Sequence, residues 1–168
     1  MSDKNKNVEK ITTSDAEHLA QLKQTLKAKG VELMANENIS EHLAEEDLDV
    51  MQRQVEFHVQ GILDALLIDT DKDHNTNETA KRVAKMYVRE VMSGRFNRQP
   101  TVTDFPNVKQ YTNVYTVGPI TVRSLCSHHL APITGKCVIA VIPGEKVIGL
   151  SKFNRLVDWV MRRPQIQE

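Results

Sequence analysis

The first half of the chain carries apolar residues at the spacing of an amphipathic α-helix. Three apolar stripes, separated by polar connectors, predict three helices that pack their apolar faces into a core. Residues 1 to about 13 show no apolar period and are predicted to form a solvated tail. The three stripes are Leu19, Leu22 and Leu26; Met51, Val55, Val59, Ile62 and Leu66; and Val83, Tyr87 and Val91.

Capping residues mark the expected ends of these helices. Ser14 opens a capping box, S-D-A-E, at the start of the first helix, and Gly30 is expected to end that helix in a left-handed conformation. The second helix is predicted from about residue 45 to about residue 67. Asn77 is the expected N-cap of the third helix, which should end before Gly94.

After Pro100 the pattern changes to the alternation of apolar and polar residues that is typical of β-strands. YTNVYTV and PITVRSL are predicted as two strands with a bend at residues 117–119, and ITGKCVIAVIP as a stronger strand. After a turn and a short strand, Ser151 is expected to cap a final helix that Pro164 interrupts. Helices followed by a small sheet and a helix indicate an α+β fold. The expected buried stripe of the last helix is Phe153, Leu156, Val157 and Val160.

The composition of the chain excludes some classes of binding partner. The chain has 168 residues, enough for one domain, and its 22 basic residues balance its 22 acidic ones. A chain with this balance has no overall positive electrostatic field that would attract nucleic acid or an anionic membrane, so neither is a predicted partner. No apolar stretch is long enough to span a bilayer, and the polar start does not resemble a secretory signal. Two cysteines are too few for a disulfide framework, so a cytoplasmic protein is predicted.

The segment SLCSHHLAP, residues 124–132, carries the strongest candidate chemistry. Cys126 and His129 have the C-x-x-H spacing of half a zinc site, and His128 between them is placed for proton transfer near neutral pH. The alternative is a cysteine that packs as a small hydrophobe beside histidines making local hydrogen bonds. Cys137 is the obvious candidate for a third ligand, but its apolar surroundings, KCVIAV, favour a place in the core.

A second candidate site lies in the segment GLSKFNR. Ser151 is expected at a helix N-terminus, where unpaired amides and the helix dipole favour an anion. Lys152 and Arg155 share one edge of the first turn, an arrangement that suits a phosphate chain. Arg162 and Arg163 are expected to continue this basic face. The alternative is a basic surface that serves only to contact solvent.

Three more residues are candidates that the sequence alone does not assign. Arg82 would need tertiary contact to join the phosphate-binding residues, and by itself is an ordinary surface arginine. Gln167 and Glu168 could present an amide and a carboxylate to the edge of a purine. The alternative for this last pair is two exposed polar residues.

Three segments, in this order, resemble the GTP cyclohydrolase I family. They are ETAKRVAKMYVREVMSG (78–94), TVRSLCSHHLAPITGK (121–136) and VIGLSKFNRLVDWVMRRPQIQE (147–168), and the resemblance covers roughly residues 45–168. It implies a tunnelling fold in residues 45–168, with an antiparallel sheet and helices on one face, preceded by a tail and variable helix in residues 1–44. It also implies a homo-oligomeric ring, typically a decamer of two pentamers.

The implied reaction is the zinc-dependent hydrolysis of GTP to 7,8-dihydroneopterin triphosphate and formate, the entry to folate and pterin synthesis. By position, Cys126 and His129 are similar to the zinc ligands of the family, and His128 is similar to its proton donor. The remaining similarities are to the ribose and triphosphate contacts, at Ser151, Lys152, Arg155 and Arg82, and to the guanine-recognising pair, at Gln167 and Glu168.

The sequence departs from the family pattern in two respects. Ser127 stands where a glutamate is common, and the given sequence ends at Glu168, before the downstream cysteine that completes the three protein ligands of zinc in this family. The resemblance therefore leads us to expect a fragment of a longer enzyme. The alternative is a non-catalytic module that uses the same fold to bind nucleotide or to assemble with a partner.

Overall fold

A computed structural model describes the backbone of residues 3–166 and the side chains of residues 13–166. It has the predicted order of helices, sheet and helix, and is α+β. The helices are α1 (Asp3–Ala28), α2 (Glu45–Ala65), α3 (Thr79–Lys85), α4 (Ser93–Phe96) and α5 (Leu150–Met161), with a 3₁₀ turn at Ser40–His42 and a π-helical segment at Met86–Val91. The strands are β1 (Asp104–Pro106), β2 (Tyr115–Cys126), β3 (Pro132–Val141), β4 (Lys146–Ile148) and β5 (Pro164–Gln165).

The central strand of the larger sheet is β2, which pairs antiparallel with β3 and parallel with β5. The prediction of two separate strands here is wrong, because β2 is continuous and a bulge between Val117 and Ile120 takes the place of the expected bend. Gly118 permits this bulge: its φ is +152°, and a Cβ atom there would lie 2.9 Å from the carbonyl oxygen of Cys137. Strands β1 and β4 form a separate antiparallel pair.

Helix α5 packs on β2 and closes the core of the second half. Ile120 of β2 meets Phe153 and Val157, which are one helical turn apart on α5. Val160, which was expected in this buried stripe, is exposed, and Met161 packs against the cluster instead. The other partly buried residues that pack there are Tyr115, Val117, Val122, Cys137, Ile139, Val141 and Ile148, so the prediction that Cys137 belongs to the core is confirmed.

Helix α1 lies against α2 and is longer than predicted. It begins at Asp3, so the expected tail is wrong over residues 3–13, and Ser14 lies inside the helix rather than at its start. No glycine or proline interrupts this stretch, which explains why the helix extends into it. Arg53 of α2 donates to Asp15 at 2.6 Å, and this hydrogen bond lowers the pKa of the Asp15 carboxyl.

The predicted apolar stripes of the second and third helices are only partly correct. Ile62 of α2 and Leu66, directly after this helix, are 58% and 65% exposed. The expected N-cap Asn77 lies before α3, which begins at Thr79, and the predicted third helix is divided into α3, the π-helical segment and α4. Its most buried positions are Ala80, Ala84 and Val88, because small residues allow α3 to approach α2 closely.

Gly94 is the point of closest approach between α4 and α5. It lies inside α4 rather than beyond a helix end, and a Cβ atom there would lie 1.9 Å from the carbonyl oxygen of Trp159. Its amide donates to the carbonyl of Arg162 at 2.9 Å. Its own carbonyl accepts from Asn38 Nδ2 at 2.8 Å and Arg163 Nε at 3.0 Å. These contacts fix where α5 ends and where β5 begins.

Arg162 and Arg163, which were expected to continue the basic face of Lys152 and Arg155, are both half-buried and bonded internally. Arg162 donates to Asp158 and to the carbonyl of Glu90. The guanidinium of Arg163 stacks 3.9 Å above the ring of Trp159. These two arginines therefore hold the end of α5 in place.

Among the described residues, we find no helix with both the length and the apolar character needed to cross a lipid bilayer.

We predict that Gly94→Ala lowers the free energy of unfolding by at least about 2 kcal/mol, because the new methyl group would overlap the backbone of α5. The control is Gly61→Ala in α2, where nothing lies within 4 Å of the new Cβ atom. That variant should gain about 0.5–1 kcal/mol from higher helix propensity. Urea unfolding measures both, and equal stability of Gly94→Ala and wild type would contradict the close approach.

Candidate active site

A tight turn between β2 and β3, residues 126–130 and called here the site turn, carries the candidate metal ligands. The amide of Leu130 donates to the carbonyl of Cys126 at 2.9 Å, and the amide of Cys126 donates to the carbonyl of Ala131 at 2.8 Å. Leu130 has a φ of +52°, which is uncommon for a residue other than glycine and reverses the chain into β3. The turn therefore brings Cys126, His128 and His129 together.

Two contacts from elsewhere in the chain hold the site turn. The amide of Ser127 donates to the carbonyl of Gln165 at 2.8 Å, which continues the pairing of β2 with β5. On the other side, the hydroxyl of Tyr87 donates to the carbonyl of Leu130 at 3.1 Å. Sequence reasoning assigned Tyr87 to an apolar stripe and missed this contact. The one sequence feature that could have indicated this contact is the phenol of Tyr87 itself, because it can form a hydrogen bond and lies on a face otherwise occupied by valines.

Cys126 and His129 have the geometry of half a zinc site. The distance from Cys126 Sγ to His129 Nδ1 is 4.0 Å. A sulfur and a nitrogen bound to one tetrahedral zinc, with bond lengths of about 2.3 and about 2.1 Å, lie roughly 3.6 Å apart. The hydrogen bond with His129 lowers the pKa of the Cys126 thiol, and the backbone amides of His129 and His128 lower it further. The pair therefore fits two positions of such a site.

A third ligand is not found within the part of the chain that the structure describes, where no group of three or more His, Cys, Asp or Glu residues could hold a metal. Cys137 lies opposite Ile120 in the ladder, six residues along β2 from Cys126, which corresponds to about 20 Å. Cys137 is therefore a core residue remote from the site turn.

His128 is exposed, and no described residue forms a hydrogen bond with its imidazole. Its ring centroid lies 6.3 Å from that of His129, with the two rings nearly perpendicular. The imidazole is therefore available to a ligand that approaches the Cys126–His129 pair. This is the arrangement expected for a proton donor beside a metal.

The candidate phosphate-binding residues lie on the first turns of α5. Gly149, in an extended conformation, is the residue that caps this helix, so the prediction that Ser151 caps it is wrong. Ser151 and Arg155 are exposed and Lys152 is half-buried. Arg155 also lines a cavity of about 270 Å³ between α4 and α5. The structure thus places these three residues on one helix, and none of their described hydrogen bonds reaches the site turn.

Arg82 and the last two residues are not brought to the site turn by any described contact. Arg82 is exposed on α3 and donates to Glu78 at 3.3 Å, one turn away. Gln167 and Glu168 lie outside the described residues. The chain before them is nevertheless close to the site, because Gln165 in β5 pairs with Cys126.

Comparison with known proteins identifies the family. The sequence model of GTP cyclohydrolase I matches residues 55–168. The chain belongs to the GTP cyclohydrolase I family. Its α+β fold agrees with the tunnelling fold of this family, and residues 55–168 include the site turn and all of α5.

Several curated proteins from bacteria that are similar to this chain carry the name GTP cyclohydrolase 1. The protein of Aliivibrio salmonicida is 39% identical over 157 residues, which cover 93% of this chain and 69% of the relative. That of Vibrio vulnificus is 42% identical over 118 residues, or 70% of this chain and 54% of the relative. That of Klebsiella pneumoniae is 41% identical over 123 residues, or 73% and 55%. The chain thus spans about half to two thirds of the length of these relatives.

We predict that Cys126 in metal-free protein reacts with iodoacetamide roughly 10-fold faster than Cys137 at pH 7, because its lowered pKa increases the fraction of reactive thiolate. His129→Ala should raise the pKa of Cys126 and shift its pH–rate profile to higher pH. His128→Ala is the control, because only the backbone amide of His128 contacts the sulfur. Mass spectrometry of the alkylated protein measures the rates, and an unshifted profile in His129→Ala would contradict the assigned cause.

Proposed function

We propose that the protein is a zinc-dependent GTP cyclohydrolase I, which hydrolyses GTP to 7,8-dihydroneopterin triphosphate and formate in the first step of tetrahydrofolate and pterin biosynthesis. The observation that carries this proposal is the pairing of Cys126 Sγ with His129 Nδ1 at 4.0 Å, with the free imidazole of His128 beside them. The family match and the names of the relatives support the same reaction.

Cys126 and His129 would hold the zinc ion as thiolate and neutral imidazole, with further ligands from outside the described residues. The lowered pKa of Cys126 favours the thiolate that zinc requires. Zinc, when bound, supplies Lewis acidity that activates water near neutral pH.

His128 would act as the proton donor to the purine. As water adds to C8 of guanine, His128 protonates the neighbouring ring nitrogen, so that the five-membered ring opens to a formamide. A second water then hydrolyses this formamide and releases C8 as formate. The ribose carbons then rearrange and close the six-membered ring. An imidazole suits this task because its ordinary pKa lies close to neutral pH.

Ser151, Lys152 and Arg155 would bind the ribose and the triphosphate of GTP. They lie in the first turns of α5, where the amides and the helix dipole favour negative charge. Arg82 would add a further contact in a neighbouring subunit, since within one chain its described hydrogen bond is to Glu78 on its own side of α3 rather than to α5.

A homo-oligomeric ring, a decamer of two pentamers, is part of this proposal. Val138, on the face of β3 that points away from α5, is 62% exposed, and Ile142, directly after this strand, is 76% exposed. Exposed apolar side chains of this size are typical of surfaces that another chain covers. GTP is the proposed substrate, with no nucleic-acid or membrane partner.

Gln167 and Glu168 would recognise guanine. This is supported by β5, whose pairing with Cys126 leads the chain past the site turn just before these residues. The carboxylate of Glu168 would accept from N1–H and the exocyclic amine of guanine. Adenine has no proton on N1, so it would leave the carboxylate without this donor, which is unfavourable in a buried site.

Residues 45–168 would form the catalytic unit and residues 1–44 a variable N-terminal extension, in keeping with the family match over residues 55–168. The cytoplasm is the proposed compartment, because Cys126 and Cys137 are both free thiols.

A second candidate is a non-catalytic module that binds nucleotide or assembles with a partner through the same fold. The observation that favours it is the lack of a third metal ligand among the described residues. Measurements of bound zinc and of GTP turnover distinguish the two candidates. The first predicts zinc in the protein and a fluorescent pterin after oxidation of the product, and the second predicts neither.

We predict that His128→Ala retains zinc but loses at least about 100-fold in kcat, because proton transfer typically contributes this much. Cys126→Ala should lose both zinc and turnover, while Cys137→Ala, remote from the site turn, should keep both. Metal analysis and pterin fluorescence measure the two quantities. Equal loss of zinc in His128→Ala and Cys126→Ala would show that their roles are wrongly assigned.

We predict that Lys152→Ala weakens GTP binding by about 10-fold and leaves guanosine binding nearly unchanged, because only GTP carries the phosphates that the ammonium contacts. Lys146→Ala is the control, since Lys146 lies on β4 and pairs with Asp104. Calorimetric titration with each ligand measures the affinities. If guanosine and GTP lose affinity equally, Lys152 is not a phosphate contact.

A further inference from the structure

The site turn is held by two contacts of different kinds. On the side of β5, Ser127 donates from its backbone amide to the backbone carbonyl of Gln165. This bond does not depend on either side chain. On the other side, the contact to the carbonyl of Leu130 comes from a single side-chain oxygen, the hydroxyl of Tyr87. The second contact can therefore be removed by deleting one atom.

The element that presents Tyr87 is firmly anchored. Tyr87 lies in the π-helical segment, and its carbonyl accepts from the amide of Met92, five residues on, at 3.1 Å. In the same segment, Val88 is buried and Arg89 donates to the carboxylates of Glu45 and Asp49 on α2. π-Helical segments are frequent at functional sites. The phenol thus extends from a fixed support to the far end of the site turn.

The atom that Tyr87 contacts controls the shape of the turn. Leu130 holds a left-handed conformation that a leucine disfavours, and its amide closes the turn onto the carbonyl of Cys126. Its carbonyl belongs to the peptide that leads to Ala131, whose own carbonyl accepts from the amide of Cys126. Fixing this peptide plane therefore fixes the backbone on both sides of the Cys126–His129 pair.

We propose that Tyr87 is a positioning residue of the site: its hydroxyl, through the carbonyl of Leu130, sets the relative placement of Cys126 and His129. Metal affinity follows from this placement, because ligands held close to the separation of a coordination edge need little rearrangement when the metal binds. This last consequence rests on the proposed zinc-dependent function, whereas the effect on the shape of the turn does not.

The test compares Tyr87→Phe, which deletes only the hydroxyl, with Tyr111→Phe, which deletes an exposed hydroxyl away from the site. Amide hydrogen exchange in metal-free protein reports the turn itself. In Tyr87→Phe the amides of Cys126 and Leu130 should exchange about 10-fold faster, while that of Ser127, which bonds to β5, keeps its protection. Thermal unfolding confirms that both variants are folded.

Metal binding is measured on the same variants. Zinc affinity, from competition with a chromophoric chelator, should fall about 10-fold in Tyr87→Phe, and the visible spectrum of bound Co²⁺ should change. With saturating zinc, kcat should fall more than KM rises, because the residue does not contact substrate. Tyr111→Phe should match wild type in every measurement.

Unchanged exchange at Cys126 and Leu130 in Tyr87→Phe would overturn the proposal, and so would unchanged zinc affinity in a wild type that binds zinc. Faster exchange in Tyr87→Phe, combined with a wild type that binds no zinc, would support the role of Tyr87 in shaping the turn. That result would instead reject the proposed zinc-dependent function.

Discussion

The close approach of α5 to Gly94 determines how the two halves of the chain are joined. Because residue 94 has no side chain, the carbonyls of Trp159 and Arg162 can lie directly against α4. The helix then ends at a fixed point, and Arg163, stacked on Trp159 and bonded to the Gly94 carbonyl, sets the direction of the following residues. Those residues form β5 beside the end of β2. A contact made far from the site turn in sequence thus determines what lies next to Cys126.

The chemistry of the site turn follows from its small size. Closing the chain within five residues places a thiol and an imidazole nitrogen 4.0 Å apart, a distance at which each changes the properties of the other. The hydrogen bond with the His129 imidazole lowers the pKa of the Cys126 thiol, and the backbone amides of His129 and His128 stabilise the thiolate further. A metal that needs a deprotonated sulfur therefore meets a site already biased towards that form. His128 keeps a free imidazole, because its backbone amide contacts the sulfur while its ring, which lies edge-on to that of His129, forms no hydrogen bond with a described residue.

The sequence predicted the parts of this arrangement that depend on local patterns. The α+β order, α2, the strand around Cys137 and the core position of that cysteine follow from periodicity and burial. Tertiary contacts were not predictable in this way. The alternation of YTNVYTV and PITVRSL does not reveal that one bulge joins them into a single strand, and Tyr87 looks like another member of an apolar stripe. The strand β5 has two residues and no periodicity, so only the packing of α5 against Gly94 explains it.

Under the proposed function, the distribution of charge links substrate binding to assembly. A triphosphate carries several negative charges, and within one chain the first turns of α5 offer only Lys152 and Arg155 with the amides of the helix end. Two cations neutralise only part of that charge, and in water each exposed contact contributes little. Arg82 lies on α3 in an exposed pair with Glu78 that is easily exchanged for a stronger anion. If the exposed β3 face mediates ring formation, a neighbouring subunit can supply the missing positive charge. Dissociating the ring should then weaken the binding of GTP more than the binding of guanosine.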